Sequence, residues 1–279
     1  MPQRSWSPWL VAAATAAALM VPAVIEAVWV SPTAVFLDDA SRNAQVTIGN
    51  SSDEAEEVTI ELRFGYLDTD SLGTPFVRLL DDPGPEYPSA ARWLGLFPQR
   101  VRLEPGERRV VRLFARPPDD LPEGEYWSRL IVTSRRAASP VAEGDTLLAA
   151  GVNLEIRLVT SVTFRKGTLS TGLALTGLTG FADADSLVVR AGMERSGNAA
   201  YLGTGHFEVV DATGAIVRQW ATPLAVYYPI NRRFVFPTDS LPPGDYTVRL
   251  RAEAARADVE EGRVLPAPTV IDSIPVTVR

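Results

Sequence analysis

The residues that could carry out chemistry are few, and their spacing favours no catalytic or metal site. His206 is the only histidine and cysteine is absent, so no cluster of histidine or thiolate metal ligands can be assembled. The acidic pairs at 38–39, 81–82 and 119–120 offer the oxygen ligands that calcium prefers, but each lies beside turn residues, where aspartate bonds its own backbone. Neither a nucleophile elbow nor a phosphate-binding glycine loop occurs. We expect no enzymatic activity, no metal and no cofactor.

A different chemistry, backbone pairing with a partner protein, is indicated by residues 151–165. Apolar side chains alternate along this segment at Val152, Leu154, Ile156 and Leu158 and return at Val162 and Phe164. The alternation predicts one long strand with an apolar face, and at about 3.3 Å per residue that strand is longer than one sandwich needs. Its N-terminal half could be added to another protein's sheet. An ordinary last strand that also links two domains explains the periodicity equally well.

The composition predicts a protein of two β domains. The chain has 279 residues, enough for two cores of ordinary size, and its 20 glycines and 22 prolines favour a turn-rich fold. A net charge of −7 without a long basic run makes nucleic acid an unfavourable partner. Because cysteine is absent, the chain can fold in an oxidising compartment without disulfides, and its stability must come from packing.

Residues 1–27 have the organisation of a secretory signal peptide. A short flank with one arginine is followed by an apolar, alanine-rich run and then by small residues at Ala23 and Ala27. The apolar run is near the lower limit of about 17 residues for a membrane span. An uncleaved anchor is therefore the alternative, and it would be the chain's only contact with a membrane. In either case we expect residues 28–279 outside the cytoplasm.

From Val28 onwards, short segments of alternating polarity separated by turn residues predict strands. Seven strands are predicted up to residue 165, the number in a simple immunoglobulin-like sandwich, and six follow. The predicted strands are 28–37, 43–50, 57–64, 99–103, 108–116, 125–134 and 151–165, then 186–194, 201–211, 216–221, 232–237, 245–252 and 269–278. The sequence therefore predicts an all-β protein of two tandem immunoglobulin-like β-sandwiches, with domains at 28–166 and 167–279.

One turn motif occurs once in each predicted domain. The sequences Leu-Pro-Glu-Gly-Glu-Tyr at 121–126 and Leu-Pro-Pro-Gly-Asp-Tyr at 241–246 both follow a strand pattern. The motif predicts a corner fixed by proline, and then a strand whose tyrosine buries its ring and hydrogen-bonds through its hydroxyl. The segments 135–144 and 254–268 show no clear period and are predicted to be loops.

Three stretches of the first predicted domain occur in an order and spacing that match a known family. They are VSPTAVF at 30–36 with VTIGNSS at 46–52, FPQRVRLEPGE at 97–107 with VVRL at 110–113, and NLEIRL at 153–158 continuing to FR at 164–165. Together they resemble the periplasmic pilus-assembly (fimbrial) chaperone family. The resemblance implies an L-shaped pair of sandwiches in the periplasm.

The resemblance also implies a partner and a way of binding it, donor-strand complementation. The partner is an exported, pilin-like subunit whose sandwich lacks one strand, and an outer-membrane usher is a further possible partner. The chaperone fills the groove of the incomplete sandwich with apolar side chains of its own strand. In this chain those side chains are Leu154, Ile156 and Leu158, and Val152 extends the series.

The sequence departs from this family in the interdomain cleft. Family members bind the terminal carboxylate of the client there with two basic side chains, and alignment places Thr33 and Ser161 at those positions. A hydroxyl group does not supply the positive charge that a carboxylate in a partly desolvated cleft requires. Other cations could supply it, although each is expected on a solvated face: Arg42, Arg157, Arg165 and Lys166. A structural or adaptor component of a cell-surface or secretion assembly is therefore the alternative function.

Overall fold

The structure, a computed structural model, describes residues 28–137, 154–182, 185–238 and 241–278. The predicted export segment, residues 1–27, lies outside these ranges. Within them the regular structure is β, and no helix is long and apolar enough to cross a membrane. The strands are β1 Val28–Ser31, β2 Ala34–Asp38, β3 Asn43–Asn50, β4 Glu56–Thr69, β5 Pro75–Leu80, β6 Leu94–Phe97, β7 Arg100–Leu103, β8 Arg108–Ala115, β9 Gly124–Arg136, β10 Glu155–Lys166, β11 Thr171–Ala182, β12 Ser186–Gly197, β13 Tyr201–Val210, β14 Ile216–Val226, β15 Ile230–Pro237, β16 Gly244–Glu253 and β17 Val270–Val278.

Strands β1 to β10 form the first sandwich. One sheet has the order β1-β3-β8-β6, and the facing sheet has the order β2-β10-β9-β4-β5, with β7 also paired to β4. Alternation places every second side chain inside, as along β4, where Val58 and Ile60 are buried while Thr59 and Glu61 are exposed. The inner faces of the two sheets meet in one core, whose fully buried members include Leu37, Val46, Ile48, Leu113, Leu130 and Phe164.

Strands β11 to β17 form the second sandwich. Three of them have the order β11-β12-β15, and the other four have the order β14-β13-β16-β17. The rings of Phe207, Phe234 and Phe236 pack on one another within its core, with the ring centroids of Phe207 and Phe234 4.7 Å apart. These ring contacts add to the apolar burial that stabilises a sandwich without disulfides.

The predicted all-β fold of two tandem immunoglobulin-like sandwiches is confirmed. Each sandwich has its own core, and in the described part of the chain no sheet contains strands from both sides of Lys166. This division supports the proposed domain limits, 28–166 and 167–279. The L-shaped arrangement stays a prediction.

The structure corrects several strand predictions. Residues 28–37 form two strands rather than one, because Pro32 has no N–H with which to continue a ladder. The structure also adds β5, β6 and β11, which the sequence pattern does not predict. β5 is mostly exposed, and β11 is rich in glycine with a register shift between Thr176 and Thr179. Neither strand therefore shows the regular alternation of a half-buried strand.

The hydroxyl hydrogen bonds predicted for the tyrosines of both turn motifs are confirmed, and the predicted burial of their rings is partial. The hydroxyl of Tyr126 donates to the carbonyl oxygen of Pro122 at 2.9 Å, and the hydroxyl of Tyr246 donates to that of Pro242 at 2.8 Å. Each ring is half-buried and packs against the core of its own sandwich. The repeated motif thus anchors the start of β9 in the first sandwich and of β16 in the second.

The two sandwiches meet at a junction around the carboxylate of Glu125, which is 3% exposed. One of its oxygens accepts a hydrogen bond from Arg165 Nε at 2.9 Å. The other accepts from the indole of Trp127 at 2.8 Å and from the backbone N–H of Ala200, in the second sandwich, at 3.2 Å. Beside it, Trp127 packs edge-on against Tyr227 of the second sandwich. This buried carboxylate is therefore fully hydrogen-bonded and ties the two sandwiches together.

Candidate functional site

The strand β10 is paired differently along its length. From Glu155 to Lys166 it pairs antiparallel with β9. Only the part from Ser161 to Arg165 also pairs, in parallel, with β2. Among the residues that the structure describes, 155–160 has a neighbouring strand on one side only, and we call this segment the free edge. An edge of this kind presents unpaired N–H and C=O groups, to which another strand can be added.

The free edge exists because the strand beside it changes sheets. β1 pairs with β3 in the facing sheet, and β2 begins only after Pro32, at Ala34. Proline removes a ladder hydrogen bond, so it marks the point at which one strand ends and the other begins. The chain consequently reaches β10 opposite Ser161, and within the described ranges no strand pairs with the preceding part of β10 on that side.

The apolar face of β10 passes gradually from the core to the surface. Phe164 and Val162 are 0% exposed, Leu158 and Ile156 are half-buried, and Leu154 is 57% exposed. Leu158 still packs against the core of the first sandwich. The free edge therefore carries apolar side chains that its own core covers incompletely, which is typical of a surface that contacts another protein.

Three of the four predicted partner-binding residues lie in the described part of the chain, and their role stays a prediction. Ile156 and Leu158 are on the free edge, and Leu154 directly precedes it. Val152 lies outside the described residues. On the opposite face of the strand, Val159 is 39% exposed.

Thr33 and Ser161, the predicted carboxylate positions, lie together at the end of the free edge. The backbone N–H of Ser161 donates to the carbonyl oxygen of Thr33 at 3.3 Å. Both residues line a cavity of about 300 Å³ between the two sandwiches, which we call the cleft cavity. Neither side chain is charged, so any positive charge in the cavity comes from other residues.

Three arginines line the cleft cavity: Arg129 of β9, Arg232 of β15 and Arg256, between β16 and β17. Arg129 is 7% exposed, donates from Nε to a backbone carbonyl oxygen at 3.0 Å and lies over the ring of Tyr227. Arg256 forms an ion pair with Asp258. In the described ranges, neither Arg129 nor Arg232 has an acidic side chain as a partner.

Arg232 has a hydrogen-bonding group that the protein leaves unused. Its Nη1 donates to the carbonyl oxygen of Pro223 at 2.8 Å, whereas its Nε is buried and has no hydrogen-bond partner among the described residues. Burial, and after it the charge of Arg256, lower the pKa of Arg232. By contrast, the hydrogen bond from Arg256 lowers the pKa of Asp258, so that pair is mutually stabilised.

The cations predicted as substitutes do not line the cleft cavity. Arg42 and Arg157 form exposed ion pairs with nearby acids, and Lys166 donates to a backbone carbonyl oxygen. The solvated face predicted for Arg165 is wrong, because its side chain is only 11% exposed and pairs with the buried Glu125. The positive charge of the cavity therefore comes from residues that the sequence did not suggest.

Sequence reasoning misses the three cavity arginines because they come from elements far apart in the chain. One signal was present at Arg129, which interrupts the apolar run between Trp127 and Val132 in a strand buried on both faces. A cation at such a position is buried and needs compensation. Nothing local distinguishes Arg232 or Arg256 from a surface arginine.

The residues considered for metal or catalytic chemistry are scattered. His206 lies in β13, with Nε2 3.5 Å from a carboxylate oxygen of Glu253. The carboxylate of Asp38 accepts hydrogen bonds from the backbone N–H groups of Ala40 and Ser41, which is the predicted turn chemistry. In the part of the chain that the structure describes, no three acidic or histidine side chains are grouped so as to hold a metal ion.

No family model matches the chain, and no curated protein matches it in sequence. Among solved structures, the class 5 fimbriae chaperone CfaA is 14% identical, with 88% of this chain and 98% of that chain covered and a TM-score of 0.42. The CupB2 chaperone of Pseudomonas aeruginosa is also 14% identical, with 88% and 98% covered and a TM-score of 0.39.

A third similar structure is the CsuC–CsuE chaperone–tip adhesion subunit pre-assembly complex from the archaic chaperone-usher Csu pili of Acinetobacter baumannii. It is 11% identical, with 90% of this chain and 99% of that chain covered and a TM-score of 0.42. These proteins are chaperones of the kind that the sequence resembles. Similarity this distant assigns neither a function nor a partner to this chain.

Proposed function

We propose that this chain is a periplasmic, chaperone-like protein that binds an exported, pilin-like subunit by adding the free edge of β10 to the subunit's incomplete sandwich. The proposal is based on one observation. Among the residues that the structure describes, 155–160 have a neighbouring strand on one side only, while the apolar side chains along them are incompletely covered. The proposed function needs no catalytic step and no cofactor.

Backbone pairing and apolar side chains have separate roles in this binding. Hydrogen bonds to the free edge set the register of the client strand. Leu154, Ile156 and Leu158 enter the groove where the client lacks its own strand, with Val152 as a proposed fourth. Fully burying one such side chain contributes about 1.5–3 kcal/mol. Because Ile156 and Leu158 are already half-buried, Leu154 has the most exposed surface to bury.

A subunit that lacks one strand is the client that this surface fits. Its open groove exposes both apolar side chains and an unpaired strand edge, which together promote aggregation. Completing the groove removes both hazards at once. Thr33 and Ser161, at the C-terminal end of the free edge, are proposed to hydrogen-bond the end of the client strand. An outer-membrane usher is a proposed further partner.

The proposal is tested by co-expressing the chain with pilin-like subunits whose sandwich lacks one strand and recovering the complex by affinity purification. The variant Leu154→Asp/Ile156→Asp/Leu158→Asp places charge in the client's apolar groove, so we expect at least a tenfold loss of recovered client. Since Leu158 packs against the core, the double variant Leu154→Asp/Ile156→Asp is measured alongside it. Val159→Asp, on the opposite face of the same strand, is the matched control and should retain the client.

Folding of each variant is checked by circular dichroism and thermal unfolding. If the double variant folds and retains every partner, the free edge does not bind a client and the proposal is wrong. The alternative, a structural or adaptor component of a surface assembly, is supported by the junction at Glu125, which ties the two sandwiches together. Partners that bind irrespective of the free edge would favour that alternative.

A further inference from the structure

The outer face of the sheet β1-β3-β8-β6 is basic, although the chain has a net charge of −7. The four strands of this sheet contain no acidic residue. Arg108 and Arg112 of β8 are on the outer face, since Val111 and Leu113, which lie between and beyond them, are buried in the core. Arg116, directly after β8, is also exposed. In the described ranges no acidic side chain pairs with any of these three arginines.

Two aromatic rings hold arginines on this face. The indole of Trp29 lies against Gly49 of the neighbouring strand, where an added Cβ would collide with it, and Arg108 lies 5.4 Å from the ring centroid. The ring of Phe114 lies in the same way against a glycine of β6, and Arg116 lies 5.3 Å from its centroid. These contacts keep the guanidinium groups at the surface, where their remaining donors can bind anions.

Exposed apolar side chains lie beside these arginines. Phe97 of β6 is opposite Arg112 and is 71% exposed, and Val110 of β8 is 47% exposed. Arginines together with tryptophan and exposed apolar side chains are typical of a surface that lies on a membrane, where cations meet phosphates and apolar groups reach the edge of the acyl layer. We call this surface the arginine face, and it consists of Trp29, Phe97, Arg108, Val110, Arg112 and Arg116.

The position of the arginine face in the chain indicates the same partner. Only two residues separate the apolar run at 9–25 from Val28, where β1 begins. Trp29 is the second residue of β1 and lies on the face. Because the chain from Ile25 to Trp29 spans at most about 14 Å, a membrane that receives the apolar run is close to the face. This holds during export and also if the run stays as an anchor.

We propose that the arginine face binds the surface of a membrane that contains anionic phospholipids. Arg108, Arg112 and Arg116 contact the phosphates of the headgroups, and Phe97 and Val110 contact the edge of the acyl layer. This inference goes beyond the proposed function and does not rest on it, because the free edge belongs to the other sheet of the sandwich. It adds a second membrane contact to the one that residues 1–27 would make.

The test measures contact between the face and vesicles of phosphatidylcholine, with and without phosphatidylglycerol, using the full-length protein. Residues 9–25 are apolar enough to bind either kind of vesicle, so contact is measured at the face itself by a label. Because the chain has no cysteine, Gln45→Cys allows a single environment-sensitive fluorophore to be attached beside Arg112. We expect its emission to shift to the blue only on vesicles that contain phosphatidylglycerol, and high salt to reverse the shift.

A label on the opposite side of the same sandwich is the control for orientation. Thr59→Cys places the fluorophore at an exposed position of β4, on the outer face of the facing sheet. The two outer faces point away from each other, so one membrane cannot contact both. We therefore expect the emission of this label to stay the same on both kinds of vesicle.

Variants of the arginines measure how much each contributes. One arginine near an anionic membrane surface strengthens binding about fivefold. For Arg108→Gln/Arg112→Gln/Arg116→Gln we therefore expect the concentration of phosphatidylglycerol vesicles that gives half of the shift to rise on the order of a hundredfold. Arg112→Gln alone should raise it about fivefold, and it disturbs neither aromatic ring. Thermal unfolding checks that each variant folds.

A matched variant controls for the change in net charge. Arg100→Gln/Arg102→Gln/Arg249→Gln removes the same charge from exposed arginines of β7 and β16, which lie outside the arginine face. We expect this variant to need the same concentration of vesicles as the unmodified protein. A loss as large as that of the triple variant on the face would mean that net charge alone governs binding, and the inference would be wrong.

Three further results would overturn the inference. The first is that the label at Gln45→Cys does not respond to phosphatidylglycerol, and the second is that the triple variant on the face responds as the unmodified protein does. The third is that soluble polyglutamate, at an equal concentration of negative charge, binds the protein as tightly as the vesicles do, which would identify an acidic protein as the partner. Because none of these measurements uses a client, failure here leaves the proposed function of the free edge intact.

Discussion

The two halves of β10 have the same alternating apolar pattern and different surroundings. In the C-terminal half, Val162 and Phe164 are fully buried and the backbone has a strand on each side. In the N-terminal half, the described part of the chain places a strand on one side of the backbone, and exposure rises from Leu158 to Leu154. The pattern is shared, so the difference comes from where the neighbouring strand β2 begins. One strand is therefore buried in the core at one end and exposed at the other.

The interdomain junction shows a parallel contrast between two arginines. Arg165 is buried with Glu125 as its counter-charge, and the hydrogen bonds of that carboxylate are complete. Arg232 is partly buried with a free Nε and no acid beside it in the described ranges. The first arrangement is typical of a structural contact, whereas the second leaves a buried donor without a hydrogen-bond partner among the described residues.

The largest expected effect is on stability, when an apolar side chain is shortened in one half of β10 or in the other. Phe164→Ala leaves a cavity in the first core, so we expect it to lower the free energy of unfolding by about 3–5 kcal/mol. Leu154→Ala, in the same apolar series, should change it by less than about 0.5 kcal/mol. Chemical denaturation measures both. Similar losses for the two variants would show that the exposed end of the series is as well packed as the buried end.

A smaller effect is expected at the junction. Glu125→Gln keeps an acceptor for Trp127 and Ala200 and removes the counter-charge of Arg165, so the free energy of unfolding should fall by about 1.5–3 kcal/mol. The matched control is Glu57→Gln, at an exposed position of β4, with an expected change within about 0.5 kcal/mol. Urea titration of both variants provides the measurement. If both variants lower the free energy of unfolding by the same small amount, the buried pair of Glu125 and Arg165 stabilises the protein no more than the exposed carboxylate of Glu57 does.

The most local of these differences is expected in backbone protection, and it sharpens the comparison most directly. Amides of 155–160 that point away from β9 should exchange their hydrogens faster than those of 161–165, by a factor on the order of one hundred, because water reaches them without strand separation. Hydrogen exchange followed by nuclear magnetic resonance resolves single amides. Uniform protection from 155 to 165 would mean that another part of the chain covers the edge.

The fold was predictable where its determinants are local. The proline-glycine corners before Tyr126 and Tyr246 depend on six consecutive residues each, and their hydrogen bonds form as the motif predicts. The glycine-rich strand β11 was not predictable, because its shift in register removes the two-residue period on which strand prediction depends. The break at Pro32 could have been anticipated from the missing N–H, although which sheet each half joins could not.

The sequence by itself determined two cores, the alternation along β10 and the absence of charge at Thr33 and Ser161, because each depends on residue types at short spacing. Only the tertiary structure decided that β2 meets β10 at Ser161 and not earlier, which leaves the free edge. It also decided that arginines of β9 and β15 meet in one cavity. Both outcomes depend on contacts between residues far apart in the chain, and neither side-chain period nor local turn chemistry specifies such contacts.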